Sequence, residues 1–235
     1  MNKLISLELK RNSLRPYHIA VMISAAAMLM LLYLLAAIPK IDPTETDIEI
    51  VTAYSSLFEI INIVSMTVFS IISAVMSSKL IVEEYSGKRA LLLFLYPLPR
   101  KKIFGAKIVL VFLYTTVAMF LCSILIQLIF LLTENIFHIC SDHLTISTML
   151  TAILSLACHS IFAGMLGVLS VWFGFIKKSI SVTIVSAVIL AAFSCQLMVA
   201  LISFSQIIFV LIMITGLITI MATSSLFSKV ENAEA

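Results

Sequence analysis

Residues 79–107 read KLIVEEYSGKRALLLFLYPLPRKKIFGAK, a polar stretch set between two long apolar runs. It holds seven of the fifteen Lys and Arg residues in the chain: Lys79, Lys88, Arg89, Arg100, Lys101, Lys102 and Lys107. The runs on either side, Tyr54–Leu80 and Ile108–Leu132, each exceed the ~20 apolar residues that span a bilayer. A charged loop between two such runs decides the fold class: an all-α, polytopic membrane protein.

Composition agrees. The chain is 62% hydrophobic and 11% charged, with a mean hydropathy of +1.18, whereas soluble domains are nearer half apolar and a quarter charged. Four further apolar runs, Tyr17–Ile38, Ile146–Ile176, Ile180–Ser203 and Gln206–Phe227, bring the expected transmembrane helices to six. The 235 residues then leave no room for a separate soluble domain, so residues 1–235 are read as a single transmembrane domain. The polar start Met1–Arg15 is followed by an apolar run too long for a signal-peptide core of about 7–15 residues, so no cleaved signal is expected. A net charge of +3 is modest and gives no reason to expect a nucleic-acid partner.

Charge placement predicts orientation. With the N-terminus inside, fourteen Lys and Arg face the cytoplasm: Lys3, Lys10, Arg11, Arg15, the seven of the loop, Lys177, Lys178 and Lys229. Lys40 alone faces outward. Both termini are therefore expected in the cytoplasm. Residues 1–16 mix Leu4, Ile5, Leu7, Leu9 and Leu14 with basic residues, which suits a short helix in the membrane interface as well as a frayed basic tail.

The outer segments are acidic, with Asp42, Glu45, Asp47 and Glu49 in one and Glu134 and Asp142 in the other. Such carboxylates tolerate translocation, and they also attract cations. His138, Asp142 and His143 are metal-ligating types, but their spacing enforces no geometry and no metal is expected. The four cysteines (Cys122, Cys140, Cys158 and Cys195) form no C-x-x-C pair and read as small packing residues.

Within the loop, residues 81–107, Glu83 and Glu84 lie just beyond the second span. Gly87 allows the chain to turn, and Lys88–Phe94 continues in good helix formers. Pro97 and Pro99 end regular helix and push Tyr96 and Leu98 toward extended backbone. The expected product is a short helix across the cytoplasmic face. Its Leu-rich side fits either a groove on a partner protein or the membrane surface with snorkelling Lys and Arg. The residues alone leave both open.

The run Glu83-Glu84-Tyr-Ser-Gly87-Lys-Arg-Ala-Leu-Leu-Leu, followed by Tyr-Pro97-Leu-Pro-Arg100-Lys-Lys-Ile-Phe-Gly-Ala-Lys107, resembles the cytoplasmic loop of permease subunits of type-2 ABC exporters. The resemblance extends to the six-span layout and the chain length. Lys88 stands where that family commonly has Thr. The resemblance implies that Gly87–Leu95 is a coupling helix seated in an ATPase subunit. Glu83, Glu84, Gly87, Lys88, Arg89, Leu91, Leu92, Leu93, Pro97 and Arg100 would serve that contact, and Lys177 and Lys178 a second, smaller one. No G-x-x-x-x-G-K-[ST] occurs in the chain. ATP and Mg would therefore be held by a separate P-loop ATPase, two copies per complex, beside a second permease copy or a related permease in a bacterial cytoplasmic membrane. Small permeases of this kind resemble those that export amphipathic peptide toxins and those that give immunity to lantibiotics or bacitracin.

Inside the spans, Glu59 is an ionisable group in an apolar run and a functional candidate by default. Asn62, three residues on, is expected on the same side. Glu59 and Asn62 are the cargo-pathway candidates; His159 and Gln127 are read as satisfied by neighbouring helices. Ser160/Gly164, Ala163/Gly167 and Ser170/Gly174 are small-x-x-x-small pairs that permit close helix packing. The apolar interior suits amphipathic or lipid-like cargo. Two rival classes remain. Glu83-Glu84 resembles the Glu-Glu-x-x-x-Arg motif of CAAX-type membrane proteases, with Lys88 in place of the Arg and only His159 as a later-span ligand. The other rival is an accessory scaffold without transport.

Overall fold

The computed structural model describes residues 14–41, 54–84, 100–137, 146–202 and 205–232. Among these, α1 spans Arg15–Ile41, α2 Tyr54–Ser77, α3 Arg100–Phe137, α4 Ile146–Lys177, α5 Ile180–Ala200 and α6 Ser205–Asn232. α2 continues directly into a five-residue π-helix, Ser78–Val82. Six helices are long and apolar enough to cross a membrane, and the described residues hold no strand. The chain is a multi-pass membrane protein. An apolar solvent offers backbone N–H and C=O groups no partners, and only a helix satisfies them within one segment.

Successive helices run antiparallel. Tyr17 of α1, Leu80 beyond α2, Phe104 of α3, Val171 of α4 and Leu226 of α6 pack into one apolar cluster at one end of the bundle. Leu32 of α1, Leu57 of α2, Phe130 of α3 and Ala152 of α4 belong to the cluster at the other end. Between them Met66, Met119, Phe162 and Met198 join the same helices and α5. Arg15, Lys79, Lys102, Lys107, Lys177, Lys178 and Lys229 belong to helix ends at the first cluster, and Lys40 of α1 stands at the other end. That end is called the basic end below.

α2 and α4 share the largest helix pair interface, and α4 also touches α3, α5 and α6. Their spanning windows are 61% and 56% buried, against 17% for α6. Small residues are the reason. A Cβ built on Gly167 would stand 2.0 Å from the Ser73 hydroxyl of α2, and one on Gly174 would stand 1.7 Å from Thr183 Oγ1 of α5. All six residues of the small-x-x-x-small pairs in α4 are buried, as their spacing leads one to expect. On the outside, Leu121, Leu125, Leu128 and Leu132 form an exposed apolar stripe along α3, which suits a surface that faces lipid.

Three boundaries differ from the hydropathy reading. α3 begins at Arg100 and ends at Phe137, well outside the expected Ile108–Leu132. Its first two turns are charged, so an apolar-run criterion places them in the loop, yet Phe104 and Ala106 of those turns are buried and hold the helix to the bundle. α1 continues through Pro39 to Ile41. α5 stops at Ala200, and Leu201–Ile202 turn toward α6. The expected interfacial helix of residues 1–16 falls almost wholly outside the described residues.

Gly167→Ala sets two magnitudes against each other. Alanine gains about 1 kcal/mol of helix propensity over glycine, while overpacking a tight core costs typically ~1–3 kcal/mol. With Ser73 at 2.0 Å the clash dominates, so the variant unfolds earlier in a detergent titration followed by circular dichroism. Adding Ser73→Gly restores most of the loss.

Candidate functional site

Two polar constellations stand out, one at each end of the bundle. At the basic end α2 finishes in a π-turn, with the Glu83 N–H donating to Ser78 O at 2.9 Å. The last carbonyls of a helix lack intrahelical donors, and one of them is supplied from another helix. Lys107 of α3 donates from Nζ to Leu80 O at 3.0 Å and also ion-pairs with the Glu84 carboxylate. Its side chain is 1% exposed and that of Glu84 13%. One buried cation thus ties the first turns of α3 to the end of α2, and so clamps both ends of the segment 85–99.

Lys107 reads in the sequence as the residue that closes the loop; here it is inside the bundle. The signal was present: Phe104, Lys107, Ile108 and Val111 follow helical spacing, and all four are buried. Of the coupling residues, Glu83 and Glu84 sit half-buried at this end and Arg100 is the first residue of α3. Gly87, Lys88, Arg89, Leu91, Leu92, Leu93 and Pro97 lie outside the described residues.

Lys177 and Lys178 are exposed in the α4–α5 turn. Lys178 has φ 47°, a left-handed conformation that non-glycine residues rarely adopt. Its N–H donates to Phe175 O at 3.2 Å and that of Ser179 to Gly174 O at 3.1 Å. This is the Schellman arrangement, in which glycine is the usual residue at the left-handed position. A lysine there keeps a charge on the basic face at the expense of backbone strain.

At the opposite end the two cargo-pathway candidates part company. Asn62 is fully buried and its Oδ1 accepts from Gln127 Nε2 of α3 at 3.0 Å. Glu59 turns instead to α4, where its Oε2 accepts from Ser155 Oγ. Three residues along a helix amount to about 300° of rotation, enough to direct neighbours on one broad face at different helices. His159 of α4 is fully buried. Its Nδ1 lies 2.8 Å from Ser155 O, and its Nε2 lies 3.7 Å from Glu59 Oε1 with no hydrogen-bond partner. Glu59, Ser155 and His159 line a pocket of about 340 Å³ between the starts of α2 and α4 and the α5–α6 junction. His159 is therefore only half satisfied by its own helix, where the sequence suggests full satisfaction by a neighbour.

The two constellations are joined by α2 and its π-turn, with Glu59 near one end and Glu84 beyond the other. At 1.5 Å per residue they stand roughly 37 Å apart. Glu83-Glu84 and His159 therefore belong to different ends of the bundle, and Glu84 is engaged by Lys107. A protease site that needs adjacent glutamates and histidine around one water has no geometric support here.

Residues 4–194 match the family described as ABC-2 family transporter protein. The chain belongs to that family. Comparisons with curated proteins and with solved structures give no match. Membership makes the chain a transmembrane permease, a transport subunit and not itself a catalyst, in a family that works with an ATPase partner.

Removing one partner of a buried ion pair costs about 3–5 kcal/mol, because the other charge is left uncompensated, whereas replacing both by apolar residues is often neutral. Glu84→Met in this permease is expected to lower unfolding stability at the low end of that range, and Glu84→Met with Lys107→Met to recover most of it. Unfolding titrations of the purified variants in detergent measure both. Lys178→Gly relieves the left-handed strain and raises stability by about 1 kcal/mol, while Lys178→Ala, which also removes the charge, does not.

Proposed function

We propose that this chain is the membrane permease of an ATP-driven exporter that moves amphipathic or hydrophobic cargo, peptides above all, out of the cell or the membrane. A separate P-loop ATPase, two copies per complex, binds ATP and Mg and supplies the energy. Two permease copies, or this chain with a related permease, enclose the pathway in a bacterial cytoplasmic membrane. Amphipathic peptide toxins and antimicrobial peptides fit the cargo class, which would make the exporter a route of secretion or of peptide resistance.

What carries the reading is the tie at Lys107, set in a chain of the ABC-2 family. Residues 85–99 leave α2 and return into α3 at points held together by one buried cation. A force applied to that segment from below is delivered to both helices instead of being absorbed by loose ends. The preponderance of Lys and Arg at this end supports placing it, with both termini, in the cytoplasm. Gly87–Leu95 is then the contact for the ATPase, flanked by Glu83, Glu84 and Arg100, and the exposed Lys177–Lys178 turn adds a second contact on the same face. ATP-driven closure of the ATPase pair tilts α2 and α3 and switches the permease pair between inward-open and outward-open states.

Mild-detergent purification from the native membrane tests the reading. A stoichiometric P-loop ATPase is expected to accompany the permease. Replacing Leu91, Leu92 and Leu93 by Asp is expected to leave membrane insertion intact and to abolish ATP-driven transport in proteoliposomes. Normal transport by that variant overturns the coupling assignment, and a permease that carries no ATPase overturns the exporter reading.

A further inference from the structure

The pocket at Glu59 holds a buried histidine nitrogen, His159 Nε2, with no hydrogen-bond partner. The donor inventory shows it. His159 Nδ1 is 2.8 Å from the Ser155 carbonyl oxygen, which only accepts, so Nδ1 must carry the proton. The Ser155 hydroxyl lies 3.2 Å from the same Nδ1 and donates its own proton to Glu59 Oε2. Both local donors are then spent. In the neutral imidazole Nε2 then presents a lone pair toward Glu59 Oε1 across 3.7 Å, and Nε2 has no hydrogen-bond partner.

That spacing fits a nitrogen donor. An ammonium placed about 2.8–2.9 Å from each acceptor donates one hydrogen to Oε1 and another to Nε2 at ordinary charge-assisted distances. A bridging water supplies the same two hydrogens but brings no charge to a carboxylate set in an apolar bundle. Among the described residues that line the pocket there is no Lys or Arg, and His159 is the one basic group beside Glu59. The remaining wall includes apolar Phe58, Leu154, Ile202 and Phe209 and the hydroxyls of Thr148 and Thr151. A volume of about 340 Å³ lies within the range of small-ligand sites.

We propose that this pocket binds the primary ammonium group of an amphiphile, clamped between Glu59 and His159, with the apolar part of the ligand along Phe58, Leu154 and Phe209. The site deepens the exporter reading, since it names cargo with an amine on an apolar body, and its role as a cargo site rests on that reading. Its binding chemistry does not.

A photoreactive alkylamine carrying a diazirine, added to the purified full-length protein in phosphatidylcholine nanodiscs, tests it. Cross-links mapped by mass spectrometry are expected in residues 148–159. Dodecylamine is expected to compete for them, and dodecanol and dodecanoate to compete at least tenfold more weakly. Glu59→Gln, which keeps an acceptor for Ser155 but loses the charge, weakens dodecylamine competition at least tenfold. Thr151→Trp fills the pocket from α4 while keeping Glu59 and His159 and lowers labelling, so the conclusion survives if the Glu59 variant folds poorly. Equal competition by the alcohol and the amine, or unchanged competition in Glu59→Gln, overturns the proposal. Two further competitors separate the sources of the amine, both of which fall within the proposal. A lysine-containing amphipathic peptide that competes identifies peptide cargo, and nanodiscs with added phosphatidylethanolamine that suppress labelling identify a lipid headgroup. If amine-selective binding holds and no ATPase accompanies the chain, the exporter reading fails and the pocket stands. If the ATPase is present and selectivity is absent, the pocket fails and the exporter reading stands.

Discussion

Apolar surroundings hydrogen-bond to nothing, so each polar group in this bundle has to find its partner within the protein. Many hydroxyls of the spans meet that demand locally: Ser70 donates to Thr67 O at 2.8 Å, Ser77 to Ala74 O at 3.0 Å, Thr115 to Val111 O at 2.8 Å and Ser170 to Gly167 O at 2.6 Å. Back-bonded in this way a serine behaves as a small, nearly apolar residue. It then serves the other demand of the bilayer, that helices attract one another by close fit because lipid leaves no hydrophobic drive between them. Thr183, bonded to Ser179 O, against Gly174 is the closest of these fits, and Ser73, whose hydroxyl has no partner, stands nearly as close to Gly167. They make α4 the helix that α2 and α5 close upon.

Charged groups cannot be folded back onto their own helix so cheaply, and the two ends of the bundle treat them differently. At the basic end the Lys107 charge is compensated by a carboxylate and a helix-terminal carbonyl, so it acts as a rivet between α2 and α3. At the opposite end Glu59 Oε1 and His159 Nε2 stand 3.7 Å apart, and Nε2 has no hydrogen-bond partner. One arrangement is closed by its own hydrogen bonds; the other opens on a pocket. α2 with its π-turn connects them. A helix with a pocket at its head and a clamped loop at its foot is a direct mechanical link between cargo and energy source in the proposed cycle. The π-turn, with its altered hydrogen bonding, lies where that helix meets the clamp.

Much of this was legible in the sequence. Hydropathy alone counted the spans, and the placement of Lys and Arg picked out the end of the bundle where α1 begins and α6 finishes. The spacing of small residues in α4 foretold the face that packs most tightly. The Gly-led, Pro-broken loop carried the family resemblance, and the match over residues 4–194 agrees with it. The start of α3 was not legible, because Arg100, Lys101 and Lys102 lower the local hydropathy while Phe104 and Ile108 keep the segment packed. Lys107 was misread for a related reason. Taken singly, a lysine at the edge of an apolar run belongs to the loop, and only the stripe it shares with Phe104 and Val111 argues otherwise.

Composition and pattern therefore determined that the chain forms six helices able to cross a membrane, with Lys and Arg gathered mostly at one end. Those are properties of segments, and the bilayer acts on each segment separately. Which groups meet was decided by the tertiary structure alone. Glu59 and Ser155 are 96 residues apart in the chain, and Asn62 and Gln127 are 65. Nothing in either local sequence specifies the other, because each helix is stable in lipid whatever stands next to it. The rotation of α2 about its own axis sends Asn62 to α3 and Glu59 to α4, and the packing of the whole bundle fixes that rotation.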